Sequence, residues 1–149
     1  MKKRKDISVI INEAVNQALR EEIESSKNIE TKTTNLISML HNCQKDLREL
    51  HWNTRNNAQH LATDKAIKSF FELEDRMAET FIGQSTDELL INDTKPSEKN
   101  FEKILNEISE MASDLKKEVS DKNEYDRLCA VIDEICEGCS QMLYSGQMK

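Results

Sequence analysis

The residues with the clearest chemical potential lie in one short stretch, LRELHWNTRNNAQH, which runs from Leu47 to His60. It contains two of the chain's three histidines, His51 and His60, and its only tryptophan, Trp52. Imidazole is a common metal ligand and also carries protons near neutral pH. Adjacent Asn residues in the NTRNN segment favour a turn over a helix. The stretch therefore predicts a helix end, a turn and a helix start, with both histidines at one rim.

Three acidic residues share one face of the helix that His60 opens. At ~100° per residue, Asp64, Asp75 and Glu79 lie within roughly a quarter of the circumference from His60. Imidazole and carboxylate together suit iron, zinc or manganese. Because clustered carboxylates are costly to bury without a cation or a partner, we expect this face to be buried against another copy. Apolar side chains are interspersed with the acids: Ile67, Phe71 and Ile82.

The distance along this helix decides how such a site could be built. His60 lies about four turns, ~22 Å, from Asp75 at a rise of ~1.5 Å per residue. A single chain therefore cannot place His60, Asp75 and Glu79 on one ion. Two antiparallel copies related by a two-fold axis would bring His60 of one copy to the acids of the other. The alternative is a bundle helix with an acidic flank and an ordinary histidine, and the spacing alone leaves both open.

Composition and periodicity predict that long helices position these residues. The 149-residue chain has only 3 Gly and 1 Pro, too few for the turns of a β-sandwich. Apolar residues recur every three or four positions, so the expected fold class is all-α. The SSKN segment weakens the first pattern, and Asn28 or Thr31 could cap a restart. The five predicted helices span residues 6–25, 31–53, 57–82, 97–120 and 122–145.

The longest irregular segment, residues 84–97, predicts the connectivity. Gly83 is expected to end the third helix, and Pro96, the only proline, to open the fourth. The loop between them is long enough to cross the end of a bundle. We therefore expect a ferritin-like four-helix bundle over 28–149 with one long crossover, preceded by a basic arm and an additional N-terminal helix over 1–27.

Charge and hydropathy limit the partners. The formal net charge of −7 argues against a general nucleic-acid binder, since phosphate contacts need clustered Lys and Arg. The exception is the MKKRK start, which we expect to be solvated, with weak DNA binding as the alternative. No apolar run approaches the ~20 residues that span a bilayer, so we expect no membrane partner. The four cysteines fit a reducing compartment, and the expected location is the cytoplasm.

Three other candidates have ordinary explanations. Cys136 and Cys139 form a C-x-x-C inside an apolar stripe without a second pair, which favours core cysteines over a zinc or redox site. His41 lies beside the core stripe of its helix and is expected to be at or near the surface. Trp52, a large apolar residue at a helix end, is expected to plug the bundle.

The stretch LHWNTRNNAQHLATDKAIKSFFELEDRMAETF resembles the Dps-type ferritin-like proteins. In that family a Leu-His-Trp-Asn motif ends the first bundle helix. A second His opens the next helix, followed by an acid one turn later and then by Asp-x-x-Ala-Glu. The stretch is similar also to a small phage-borne group with a His-Trp-x-Thr…Ala-Gln-His opening. The matching residues are His51-Trp52-Asn53, His60, Asp64 and Asp75-Arg76-Met77-Ala78-Glu79.

The resemblance implies a di-iron ferroxidase site shared by two subunits. Two histidines of one copy would face two carboxylates of a second, with one further acid assisting and the tryptophan beside the site. The implied cofactor is iron, di-iron or mononuclear, bound as Fe²⁺ and oxidised by peroxide or oxygen. The implied assembly is a homo-oligomer, at least a dimer, with a shell as its larger form. The two histidines are His51 and His60, and the two carboxylates of the second copy are Asp75 and Glu79. The assisting acid is Asp64, and the tryptophan is Trp52.

Two features depart from the family pattern. His51 and His60 are nine residues apart, closer than in Dps proteins, and the usual Gly-Pro is absent from the turn. The alternative function is therefore a non-enzymatic helical interaction protein, such as a virion component that retains the scaffold without the oxidation chemistry. A phage-encoded chain of this kind would be found in the host cytoplasm or in the virion.

Overall fold

Four α-helices form nearly all the regular structure of residues 6–147. The computed structural model describes residues 6–147, and within that range it contains no β-strand, which confirms the predicted all-α class. None of the helices in that range is long and apolar enough to cross a membrane. The MKKRK arm, and with it the alternative of weak DNA binding, lies outside the described residues. The helices are α1 (Ile7–Asn53), α2 (Asn57–Gln84), α3 (Phe101–Val119) and α4 (Asp126–Gln147).

Helix α1 is a single helix of 47 residues, so the predicted break at SSKN is wrong. Asn28 does not cap a restart, because its side-chain amide donates to the Glu118 carboxylate at 2.8 and 3.0 Å. Thr31 is exposed on the unbroken helix. The Thr33 hydroxyl donates to a carbonyl one turn earlier at 2.7 Å, a bond that helical backbone allows. Nothing ends the helix earlier, since residues 6–53 include neither Gly nor Pro.

Helix α3 begins five residues beyond Pro96 rather than at it. The Asn100 side chain caps the helix by accepting from the backbone N–H of Lys103 at 3.1 Å. Pro96 is buried in the crossover, and the backbone N–H of Ser97 donates to the Glu107 carboxylate at 3.1 Å instead of entering a helix. The prediction that Pro96 opens the helix is therefore wrong, because the residue that caps the helix is Asn100, four positions later.

Two further boundaries differ from the prediction. Helix α2 continues through Gly83 to Gln84, and the N–H of Ser85 still reaches the Phe81 carbonyl at 2.8 Å. Gly83 therefore lies inside the last helical turn and does not end the helix. Helix α4 begins later than predicted, at Asp126, because a short 3₁₀ turn over Asn123–Tyr125 precedes it.

Hydrogen bonds along the crossover, residues 85–100, show how α2 is connected to α3. Residues later in the crossover bond to residues later in α1, so the crossover runs along α1 toward the C-terminal end of that helix. Helix α3 therefore starts at that end and runs antiparallel to α1, in the same direction as α2. Neighbouring pairs close a ring in the order α1, α2, α4, α3. The bonded pairs are Ser85–Glu30, Asn92–Asn35, Thr94–Asn42 and Lys99–Glu49.

The predicted apolar stripes face the inside of this ring. Each fully buried Leu, Ile, Phe or Met contributes roughly 1.5–3 kcal/mol relative to an exposed one, so these stripes are the main source of stability. Helices α3 and α4 bury their stripes in the same way as α2. The buried residues of α2 include the whole predicted stripe: Ala62, Ala66, Phe70, Leu73, Met77 and Phe81.

The first part of α1 extends beyond the bundle. We call residues 7–24 the free segment; every residue in it is exposed. It is ~27 Å long at ~1.5 Å per residue. The first fully packed side chain of α1 is Ile29. The predicted N-terminal stripe, Ile7 to Leu19, therefore has no packing partner among the residues that the structure describes.

The core can be tested by two matched leucine truncations. Leu115 is fully buried in α3, whereas Leu90 is 64% exposed in the crossover. Leu115→Ala should lower the free energy of unfolding by about 2–5 kcal/mol, because it removes buried methyl groups and leaves a cavity. Leu90→Ala should change it by less than about 0.5 kcal/mol. Urea unfolding measures both values, and equal losses would contradict the described packing.

Candidate functional site

A three-residue turn, Thr54 to Asn56, joins α1 to α2 without Gly or Pro. The Thr54 N–H donates to the Leu50 carbonyl at 2.9 Å and so closes the end of α1. The Thr54 hydroxyl donates to the Gln59 side chain at 2.9 Å, and Asn56 accepts from the Gln59 N–H at 3.2 Å. Short polar side chains therefore hold the turn from both ends. They place the last turn of α1 beside the first turn of α2.

The rings of His51 and His60 stack across this turn. Their centroids are 4.0 Å apart, and the ring planes differ by 21°. His51 Nδ1 lies 2.9 Å from the His60 carbonyl oxygen, and His60 Nδ1 lies 3.0 Å from the His51 carbonyl oxygen. The nine-residue spacing thus brings the two imidazoles together. Each ring is bonded to the backbone of the other histidine.

These reciprocal bonds decide which ring nitrogens carry hydrogen. A carbonyl oxygen only accepts, so both Nδ1 atoms must be donors. In each neutral ring Nε2 is then the nitrogen with the lone pair. Among residues 6–147 nothing bonds to Nε2 of His51 or of His60. Both rings are therefore oriented by the backbone and have their ligating nitrogen available.

Thr63 is a site residue that the sequence did not reveal. Its buried hydroxyl lies 3.1 Å from His51 Nδ1 and donates to the Gln59 carbonyl at 2.8 Å. It therefore accepts a second bond from the His51 ring and restricts its orientation. The one available indication was its position, three residues after His60 in a helix.

The predicted acids lie on the outward face of α2, where Asp64 is one turn from His60 but Asp75 and Glu79 are far from the histidines of their own chain. Asp75 and Glu79 are exposed, and no residue in the range 6–147 bonds to either carboxylate. Asp64 is half-buried and accepts from Lys68 at 3.1 Å. Because α2 is unbroken, His60 stays ~22 Å from Asp75 along its axis. Within residues 6–147 no three His, Cys, Asp or Glu side chains are grouped closely enough to hold an ion.

The neighbours of Asp75 show why it points outward. Glu74 turns toward α1, where it bonds to His41 and to Gln44. Arg76 turns toward α4 and forms a two-bond ion pair with Glu134. The residues on either side of Asp75 are thus used to join α2 to its two neighbours. His41 is exposed, as the sequence predicted, and its role here is this contact.

Large apolar residues also lie on the outer surface near the site. Trp52 is 71% exposed, so the prediction that it plugs the bundle is wrong. Leu47 and Leu50, five and two residues earlier, pack against the core at that end instead. Phe71 and Ile82 on α2 are 65% and 62% exposed. The α2 face that was expected to be buried is therefore uncovered in the single chain.

The cysteines support the predicted structural role. All four are free. Cys139 is buried, and this burial raises the pKa of its thiol to about 12. Burial likewise raises the pKa of the Cys43 thiol far above its ordinary value. Cys136 is half-buried beside Ser113. A buried thiol that stays protonated is a poor nucleophile, so the burial of Cys139 fits a core cysteine.

Comparison with known proteins assigns a family to most of the chain. No curated protein and no solved structure matches the sequence. One family, described as a family of unknown function, DUF5856, matches residues 51–145. The matched range begins at His51 and includes Trp52, His60 and the α2 acids, but it excludes the free segment. The chain therefore belongs to the DUF5856 family.

Proposed function

We propose that this protein binds iron at a two-fold interface between two copies and oxidises Fe²⁺ there, in the manner of the Dps-type ferritin-like proteins. The observation that carries the proposal is the reciprocal His51–His60 bonding, which leaves both Nε2 atoms available at one rim. The remaining ligands are Asp75 and Glu79 of the second copy. Asp64 assists, and Trp52 lies beside the site.

The ligand set fits iron in its chemistry. Metal-binding histidines usually donate the other ring N–H to a carbonyl or carboxylate, which fixes the ring and raises its basicity. His51 and His60 already make these bonds to carbonyl oxygens. The stacking of the two rings places both histidines at one position of the interface, where a di-iron or a mononuclear centre could use them. Imidazole with carboxylate suits Fe²⁺ and stabilises the ferric product.

The exposed apolar residues support an antiparallel pairing of two α2 helices. If His60 lies opposite the midpoint of Asp75 and Glu79, the two-fold axis crosses α2 near residue 68 or 69. Phe71 then lies close to the axis, within ~4 Å along the helix, and packs against Phe71 of the second copy. In the same register Ile82 lies opposite the loop that follows Trp52. The three most exposed apolar side chains of this surface are thus covered together.

The charges of this surface support the same pairing. Lys45 and Arg48 are exposed on α1 at helical spacing from Trp52, and so lie on one side of that helix. The outward face of α2 carries Asp75 and Glu79. An antiparallel second copy brings its acidic row toward these cations and toward the two histidines. Opposite charges also orient the two copies as they meet.

The topology agrees with a ferritin-like bundle. Ferritin-like folds are four-helix bundles with a single long connection. Here the 85–100 crossover is that connection, and it makes α2 and α3 run in the same direction. The extended free segment is an addition to this plan. It makes a closed shell a weaker proposal than a dimer.

A second candidate function is a helical interaction protein without oxidation chemistry. It is favoured by one observation: no group of three ligands occurs within residues 6–147 of a single chain. All metal chemistry then depends on the second copy. A stable dimer that binds no Fe²⁺ would support this candidate over the first.

Anaerobic Fe²⁺ titration tests the proposed site. The wild-type protein should bind Fe²⁺, and His60→Ala and Glu79→Ala should each raise the Kd at least ~10-fold, because each removes a ligand. Glu110→Ala is the matched control; it removes an exposed acid of α3 and should leave binding unchanged. Wild-type affinity in both site variants would contradict the proposal.

The interface can be tested separately through Phe71. Phe71→Glu should dissociate the α2-mediated dimer, because the two added negative charges, one from each copy, would lie near the axis without partners, while the fold of each chain stays intact. The control is Leu90→Glu, which places the same charge at an exposed crossover position. Light-scattering mass and urea unfolding provide the readouts. An unchanged mass for Phe71→Glu would rule out this face as the interface.

A further inference from the structure

Two exposed charged residues of α2, Lys65 and Glu72, form no hydrogen bond or ion pair with any residue of the range 6–147. We infer that Lys65 of each copy pairs with Glu72 of the other, an inference that rests on the α2-mediated dimer proposed above. The two ion pairs determine which residues of the two α2 helices lie opposite each other. They thereby align His60 of one copy with the acids of the second.

Both side chains lie on the same flank of α2. At ~100° per residue, Glu72 lies ~20° from Lys65 around the helix axis. Lys65 lines a groove together with Ser145 of α4, and Glu72 lines a second groove together with Glu134 of α4. This flank is therefore the α4 side of the proposed contact face, whereas the cations of α1 described above lie on the α1 side.

An antiparallel dimer with two-fold symmetry brings Lys65 and Glu72 together. The proposed site places His60 opposite position 77, the midpoint of Asp75 and Glu79. Position 65 of one copy is then opposite position 72 of the other. A two-fold axis between the helices also keeps the α4 side of one copy next to the α4 side of the other. The same ion pair therefore forms twice in the dimer, once on each side of the axis.

Neighbouring alignments bring like charges together. If one copy slides by four residues, about one helical turn, Lys65 lies opposite Arg76 in one direction and opposite Lys68 in the other. Like charges that face each other across an interface disfavour that arrangement. Of these three alignments, the one that the metal site requires is the one with opposite charges at this position. The charges of this flank thus select that alignment without reference to the histidines.

The surroundings of Glu72 favour a cation from outside the chain. Its groove is lined by more negative than positive side chains: Glu72, Glu134 and Glu137 against Arg76. Arg76 is already paired with Glu134. Among the described residues that line the groove of Lys65, that lysine is the only charged one, so it has no competing partner there. Lys65 of the second copy therefore balances the excess negative charge beside Glu72.

The experiment reverses each charge and then mixes the variants. Lys65→Glu and Glu72→Lys should each raise the dimer Kd about tenfold or more, because each places like charges at both contacts. Light-scattering mass over a series of concentrations measures the Kd. An equimolar mixture of the two variants should associate with the wild-type Kd, because both contacts of a mixed dimer join opposite charges. The matched control is Lys117→Glu, the same change at an exposed position of α3, which should leave the Kd unchanged.

A double variant gives an internal check on direct pairing. The homodimer of Lys65→Glu with Glu72→Lys regains two opposite pairs with the charges exchanged, so its Kd should return close to the wild-type value. Far-UV circular dichroism should show the same helix content in every variant, because both positions are exposed. A double variant as weak as either single variant would show that the charges act separately, and it would overturn the pairing.

The outcomes separate this inference from the proposed function. A wild-type dimer that Phe71→Glu dissociates, but whose Kd neither charge reversal changes, overturns the ion pairs and leaves the α2 interface standing. A mixture that does not regain the wild-type Kd also overturns the pairing. A wild-type protein that stays monomeric at every concentration overturns the α2 interface itself, and the ion pairs with it.

Discussion

The unbroken course of α2 is the constraint on which the rest of the account depends. Its 28 residues hold His60 at one end and Glu79 near the other, and a helix does not shorten to bring them together. The helix is fixed on both sides, by Glu74 bonded to α1 and by Arg76 paired with α4. A site that needs both ends of α2 must therefore be assembled from two chains. Pairing of two chains through α2 would explain both why the ligands lie far apart within one chain and why the outer face of α2 is exposed.

The turn between α1 and α2 fixes the positions of the His51 and His60 rings. Two stacked imidazoles would be mobile at a solvent-exposed rim if only packing held them. Here each ring donates to the backbone carbonyl of the other histidine, and Thr63 adds a further bond to His51. Helix ends have carbonyls without intrahelical partners, so the His51 carbonyl at the end of α1 is available to accept from the His60 ring. The turn thereby fixes the tautomer as well as the position of both rings.

Local patterns predicted much of this structure. The stripes of α2, α3 and α4 were predictable because burial follows the helical period residue by residue. The ~22 Å separation of His60 from Asp75 followed from helix rise alone. Contacts between distant segments were not predictable. Asn28 looked like a cap, but its partner Glu118 is 90 positions away. Trp52 looked like a core residue, but Leu47 and Leu50 already fill that end of the bundle.

The stacking of the histidines shows the same limit within the candidate site. The sequence predicted that His51 and His60 lie at one rim, but it did not predict that their rings stack. The side chains of Thr54, Asn56 and Gln59 close the shorter turn. Their bonds depend on backbone angles that no periodicity encodes. Thr63 was missed for the same reason, since its role appears only once the two helix ends lie side by side.

The central claim is that His60 of one chain acts with Glu79 of another, and one mixing measurement tests it. His60→Ala and Glu79→Ala chains are purified separately, unfolded together and refolded as a mixture, and anaerobic Fe²⁺ binding is measured by titration. Each mixed dimer has one site with both defects and one intact site. The mixture should therefore recover about a quarter of the wild-type sites, although each variant alone has none. No recovery, in a mixture shown to contain mixed dimers, would contradict a site shared between chains.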